Sequence, residues 1–140
     1  MEANMKTIER WDIFELELKG KPEGNPFMDY EISATFKGDR EEKTVEGFYD
    51  GDGTYRIRFM PSFEGVYHYE AKGTFQNELA QKDKLCGSFT VSPASSENHG
   101  PVRVLDEVHL RYEDGSSYYS IGTTCYAWAN QTQNLQEQTL

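Results

Sequence analysis

Asp29-Tyr30-Glu31-Ile32-Ser33-Ala34-Thr35-Phe36 sets Tyr30, Ile32, Ala34 and Phe36 at alternate positions, with Asp29, Glu31, Ser33 and Thr35 between them. Side chains of an extended chain point to opposite faces in turn, so this spacing gives one apolar and one polar face, as a half-buried antiparallel strand requires. A helix would need apolar positions three and four apart. Upstream, Trp11 to Leu18 reads as a second strand, with Ile13 and other apolar residues set against Glu15 and Glu17, and Lys19 to Pro26 closes it with Gly and Pro. Downstream, Gly38-Asp-Arg-Glu-Glu42 is a charged turn, and Lys43 to Tyr49 resumes an extended run through Val45, Phe48 and Tyr49.

Asp50-Gly51-Asp52-Gly53 supplies two Asp-Gly steps, which tolerate the positive φ angles of tight hairpins, and Tyr55 to Phe59 alternates after it. A turn over Pro61 to Gly65, strands at Val66 to Glu70 and Phe89 to Val91, and a polar stretch from Gln76 to Lys84 complete this part. About six or seven short strands with frequent turns predict an all-β, two-layer antiparallel β-sandwich.

The grammar changes after Ser92. Ser92 to Pro101 is rich in loop formers and places a domain boundary between residues 1–98 and 99–140. Beyond it, Val108 to Tyr112 and Tyr118 to Ile121 flank Asp114-Gly115 as an expected hairpin. Gly122 to Trp128 is a mostly small, uncharged run that reads as a strand buried on both sides, and Gln131 to Leu140 begins a helical pattern through Leu135.

A chain of 140 residues holds one ordinary domain and a short appendage, whereas a complete (β/α)8 barrel needs roughly 200 or more. The composition, 36% hydrophobic and 14% aromatic, is that of a folding chain. A formal net charge of −10 without a basic cluster argues against nucleic acid and against anionic membrane surfaces as partners. Residues 1–10 lack the apolar core of a signal peptide, which leads to a cytoplasmic expectation.

No self-contained active site is legible. Asp50 to Gly53 lacks the further acidic ligands and the terminal Glu of a calcium loop and reads as a solvated turn. His68, His99 and His109 have no ligand spacing, and His68 reads as a strand-face residue. Glu41-Glu42 beside Asp39 and Arg40 reads as a solvated loop in preference to a glycosidase pair. Cys86 and Cys125 show no CxxC pattern and are expected as free, partly buried thiols, with a disulfide between them the alternative. No metal and no cofactor are expected. Tyr55, Tyr67 and Tyr69 are expected to fill the core, while Trp128 stands at a strand end beside Tyr126, Asn130 and Gln131, all with polar handles.

Five blocks in order resemble a known family: Glu9-Arg-Trp-Asp-Ile-Phe-Glu-Leu16, Gly24-Asn-Pro-Phe27, Gly47 to Pro61, Asn98-His-Gly-Pro-Val-Arg-Val104 and Ile121-Gly-Thr-Thr-Cys-Tyr-Ala-Trp128. The chain is similar to the N-terminal immunoglobulin-like domain of unknown function that precedes the catalytic (β/α)8 barrel in bacterial proteins labelled cellulase-like or endoglucanase-like glycoside hydrolases. The resemblance implies an immunoglobulin-like sandwich, then a hairpin and the first strand and helix start of an incomplete barrel. Its catalytic carboxylates lie on later strands, so no catalytic residue carries over. Tyr126 and Trp128 match the end of the first barrel strand, on the face where such barrels bind substrate.

The resulting expectation is a non-catalytic accessory domain, itself inactive, that packs against the catalytic barrel of a glycoside hydrolase acting on O-glycosyl bonds. An autonomous carbohydrate-binding module and a structural or protein-interaction sandwich are the alternatives. Expected partners are that barrel, an oligo- or polysaccharide, and a second copy of the chain joined through the C-terminal segment, whose strand edge would lack neighbours.

Overall fold

The alternation that opens the sequence is realised as a strand at Ile32–Lys37, with Ile32, Ala34 and Phe36 buried. The computed structural model describes residues 5–74, 82–122, 124, 130 and 132–139. Its elements are β1 (Thr7–Glu9), β2 (Phe14–Lys19), β3 (Ile32–Lys37), β4 (Glu42–Glu46), β5 (Phe48–Tyr49), β6 (Thr54–Phe59), β7 (Gly65–Gly73), β8 (Cys86–Ser92), β9 (Val102–Leu105), β10 (His109–Tyr112) and α1 (Gln133–Thr139). One sheet has the order β1-β8-β7-β3-β4, a second β2-β6-β5, and β9 and β10 form a separate ribbon.

The two larger sheets are the layers of an all-β sandwich. Phe14, Leu16 and Leu18 of β2 and Ile57 and Phe59 of β6 meet Ile32 and Phe36 of β3, Ala71 of β7, and Phe89 and Val91 of β8 in one core. Rings stack across the layers, Phe36 on Phe59 at 4.3 Å and Phe14 on Phe89 at 4.0 Å. Tyr55 and Tyr67 are buried in this core and Tyr69 packs against it, as their strand positions predict. His68 lies on the exposed face of β7. The Asp50 to Gly53 hairpin forms with positive φ at Gly51, Asp52 and Gly53, and the Asp50 carboxylate accepts from Arg56.

Several expectations need correction. Ile13 is 54% exposed, because it shares parity with Glu15 and Glu17, while Phe14, Leu16 and Leu18 face inward. The run from Lys43 to Tyr49 is not one strand: β4 pairs with β3 in the larger sheet, and β5 pairs with β6 in the smaller. The chain crosses between layers at Gly47, where a Cβ would lie 2.6 Å from Ile32 Cγ2 and 2.7 Å from Ile57 Cγ1. β1 runs parallel to β8, with Ile8 opposite Val91, an exception to the antiparallel pattern. Cys86 is free and exposed, because Phe89 and Val91 define the inward parity of β8 and Cys86 falls on the other. Cys125 lies outside the described residues.

Glu41 and Glu42 also part company. Glu42 is exposed and pairs with Lys37 at 2.9 Å, but the Glu41 side chain is only 9% exposed. Its Oε1 accepts from the Tyr67 hydroxyl at 2.6 Å and the Ser62 amide at 2.7 Å, so it fastens the β3–β4 turn to the β6–β7 turn. Burial alone would raise the Glu41 pKa, yet the bonds from Tyr67 and Ser62 prevail and hold it below the ordinary value. Burial first, and then the bond to Glu41, push the Tyr67 phenol up. A depressed carboxyl contributes stability above its unfolded pKa of ~4.3 and loses it as pH falls through the folded value. Glu41→Ala, which deprives the Tyr67 hydroxyl and the half-buried Ser62 amide of this acceptor, is expected to cost about 2 kcal/mol near neutrality. In urea titrations the loss should shrink as pH falls below about 4. A wild-type–variant difference independent of pH would refute the linkage.

Candidate functional site

The stretch from Ser92 to Pro101 reads as a linker in sequence but folds as a tied joint. Glu9, at the end of β1, turns its Oε2 to the Ser95 amide at 3.1 Å, the Ser95 hydroxyl at 3.0 Å and Asn98 Nδ2 at 3.5 Å. The Ser95 amide, then the Ser95 hydroxyl, draw the Glu9 carboxyl below its usual pKa against a smaller opposing effect of burial. Asn98 Nδ2 also donates to the Arg10 carbonyl at 3.1 Å.

Trp11 adopts a positive φ of 69°, and its amide donates to the Pro61 carbonyl at 3.0 Å. The Arg10 guanidinium lies 4.0 Å over the indole and pairs with Glu64 at 3.4 Å. Gly100, at φ +77°, passes against the ring, where a Cβ would approach Trp11 Cδ2 to 2.6 Å. Sequence reasoning missed this joint because its partners lie about ninety residues apart.

The ribbon grows from the joint. Val102 pairs with Tyr112 and Val104 with Leu110, and Asp106 and Glu107 turn the corner with φ of 50° and 67°. Of the hairpin expected between Val108–Tyr112 and Tyr118–Ile121, the turn at Asp114-Gly115 forms, with the Tyr112 amide donating to the Ser116 carbonyl at 3.0 Å and an antiparallel bridge between Arg111 and Ser117. Tyr118–Ile121, however, is not a strand, and β10 takes β9 as its main partner. The three-residue turn Asp106-Glu107-Val108 lacks the Gly or Asn that usually marks positive φ in a hairpin, so the true partner strand was hidden.

His99 belongs to the ribbon's base. Its Nδ1 lies 2.8 Å from Asp114 Oδ2, and its ring sits 5.2 Å from that of Tyr112. Asp114 Oδ1 accepts from the Ser116 hydroxyl and amide, and the hydroxyl bond foremost, with help from His99, pulls the Asp114 carboxyl down to about 2.

Strand alternation gives the ribbon two unlike faces. Val102, Val104 and Leu110 share one, while Arg103 and Arg111 share the other, where Arg103 pairs with Glu113. On the apolar face Val104 is 68% exposed, and nearby in sequence Val108, Tyr119 and Ile121 are exposed as well, Ile121 at 94%. Such a face is what a sheet normally packs against something else. Tyr126 and Trp128, the binding residues expected from the resemblance, lie outside the described residues, as does most of the expected strand from Gly122 to Trp128. The helix expected from Gln131 is present as α1, with Leu135 exposed. Among the described residues no helix is long and apolar enough to cross a membrane, and no three His, Cys, Asp or Glu side chains gather as a metal site.

Comparison with known proteins places this geometry. Residues 7–74 match a family described as a domain of unknown function, DUF5060. That match spans β1 to β7 and ends before β8. No curated protein matches the chain. Among solved structures, the crystal structure of a "putative glycoside hydrolase from Bacteroides vulgatus ATCC 8482" is similar over 96% of this chain, at 45% identity and a TM-score of 0.81. The chain spans 25% of the length of that protein. An all-β sandwich with the context of a glycoside hydrolase is therefore the class that fold and comparison define.

Proposed function

We propose that the chain is a non-catalytic accessory domain of a glycoside hydrolase, in which residues 1–98 form the sandwich and residues 99–140 connect it to a catalytic domain. The observation that carries this reading is the size of the similar region: nearly all of this chain matches a quarter of the Bacteroides protein. The ribbon supplies the docking surface. A two-stranded hairpin is marginal by itself in water, and its Val102, Val104 and Leu110 face asks for an apolar cover. The catalytic domain is that cover, and Tyr126 and Trp128 then stand at its substrate face. The sandwich is immunoglobulin-like in this reading. The order β8-β7-β3-β4 opposite β2-β6-β5 follows the G-F-C-C′ and B-E-D arrangement of such folds, with β1 added at the edge.

Coexpression of this chain with the part of the Bacteroides protein that it does not cover tests the proposal. The two should copurify, and Val104→Asp with Val108→Asp should abolish copurification, because burying two unpaired carboxylates costs several kcal/mol. The chain alone should not hydrolyse nitrophenyl glycosides. A soluble remainder that ignores the wild-type chain, or binds the double variant equally well, overturns the docking surface.

A further inference from the structure

At the end of the sandwich away from the ribbon, the β2–β3 loop, the β4–β5 crossing and the end of β7 enclose an open cleft of about 620 Å³. Strand direction fixes this separation. β8 runs from Cys86, on the cleft side, to Ser92, where the joint begins. Phe27 and Tyr30 line the cleft together with Glu31, Glu46, Lys72 and Thr74.

Phe27 is 73% exposed although it is among the most apolar side chains of the chain. Its ring is not loose, because it meets Tyr49 edge to face, with centroids 5.2 Å apart and planes at 90°. The loop that carries it is fastened at several points. The amides of Met28 and Asp29 donate to the Asn25 carbonyl, Asp29 Oδ2 accepts from the Asn25 amide at 2.8 Å, and the Tyr55 hydroxyl donates to the Lys21 carbonyl at 2.7 Å. An exposed aromatic held in place is costly for the free protein and useful to a ligand, since the ordering has been done before binding.

The polar groups around it narrow the ligand. Glu31 and Glu46 offer acceptors, Lys72 offers donors, and Thr74 offers a hydroxyl beside the Glu31 amide. Lys72 pairs with Glu70 at 3.5 Å, but both side chains are 64% exposed, and such a pair is weak enough for the ammonium to turn to a ligand. Two carboxylates against one ammonium disfavour phosphates and uronates, as does the net charge of −10. A sugar ring fits what remains, because its C–H face packs on an aromatic ring while its hydroxyls both donate and accept.

We propose that this cleft binds an uncharged oligosaccharide, with Phe27 as the stacking platform and Glu31, Glu46, Lys72 and Thr74 as hydroxyl partners. The site stands apart from the docking face, so it holds or fails independently of the accessory reading. It gives the sandwich a substrate-tethering role in addition to support.

Affinity electrophoresis of the whole chain through native gels containing barley β-glucan, xylan or galactomannan tests this, together with amide chemical-shift titrations using cellohexaose, xylohexaose and mannohexaose. Retardation in at least one gel is expected, with shifts confined to residues 27–33, 46–47 and 72–74. Phe27→Ala should weaken binding about tenfold or more, and Lys72→Ala should weaken it too, both with unchanged thermal unfolding because the side chains are exposed. Absence of retardation in every gel without shifts in these residues overturns the proposal. So does retardation that both variants retain in full, or binding only to polygalacturonate.

Discussion

Phe36→Ala is expected to lower the unfolding free energy by about 3–5 kcal/mol, a large share of the 5–15 kcal/mol that holds an ordinary domain together. Phe36 is fully buried on β3, between β7 and the edge strand β4 of the larger sheet. Its ring stacks on Phe59 of the opposite layer with planes only 6° apart, and presents or receives edges from Phe14 at 5.9 Å and Phe89 at 6.3 Å. Truncation removes the piece through which three strands from both layers touch, and the neighbours are themselves large rings that cannot collapse into the void without leaving their rotamers. At ~4–8 °C per kcal/mol, the melting temperature should fall on the order of 20 °C. Urea unfolding followed by near-ultraviolet circular dichroism reads this directly. A loss under about 1.5 kcal/mol would mean that the aromatic cluster is not the keystone of the sandwich. Phe27→Ala, also an aromatic truncation but at an exposed ring, should by contrast change stability by no more than ~0.5 kcal/mol.

The same contrast explains what was legible in the sequence. β3 declared itself because Tyr30, Ile32, Ala34 and Phe36 obey one period without interruption, and burial follows that period in the fold. The Asp50 to Gly53 tip was equally plain, since its chemistry is local and its partners, β5 and β6, adjoin it. Where the sequence misled, the deciding contact was distant. Ile13 looks like a core residue until Trp11 turns the chain at positive φ and sets the parity of β2 from Phe14 onward. Glu41 looks like one charge among four in a turn, and only the arrival of Tyr67 and Ser62 from another turn makes it a buried acceptor. Gly47 gave no sign that an extended run would change sheets there, because the reason is the approach of Ile32 and Ile57 from both layers. Of the candidate site, the resemblance pointed to Tyr126 and Trp128, which lie outside the described residues. The Val102, Val104 and Leu110 face was written in alternation but concealed by an unusual turn.

Gly100→Ala is expected to loosen the joint by about 2–4 kcal/mol while leaving the sandwich core almost untouched. Two effects add. The left-handed backbone at φ +77° costs an alanine roughly 1 kcal/mol. The new methyl group would stand 2.6 Å from Trp11 Cδ2 and 3.0 Å from Glu113 Cβ, an overpacking worth about 1–3 kcal/mol. Trp11 has little room to retreat, because its amide is bound to Pro61 and Arg10 covers its ring. Gly115→Ala separates the two effects. That glycine is also left-handed, at φ +91°, yet a Cβ there meets nothing within 4 Å, so only the strain of roughly 1 kcal/mol should appear. Hydrogen exchange is the measurement: in Gly100→Ala the amides of β9 and β10 should lose protection, those of β3 and β7 should keep it, and Gly115→Ala should move β9 and β10 much less. Equal effects of the two substitutions would show that the Trp11 contact does not hold the ribbon. The predicted inequality would make Trp11 and Gly100 the hinge pin that aims the apolar face, and would predict that Gly100→Ala also weakens the docking proposed above without altering any residue of that face.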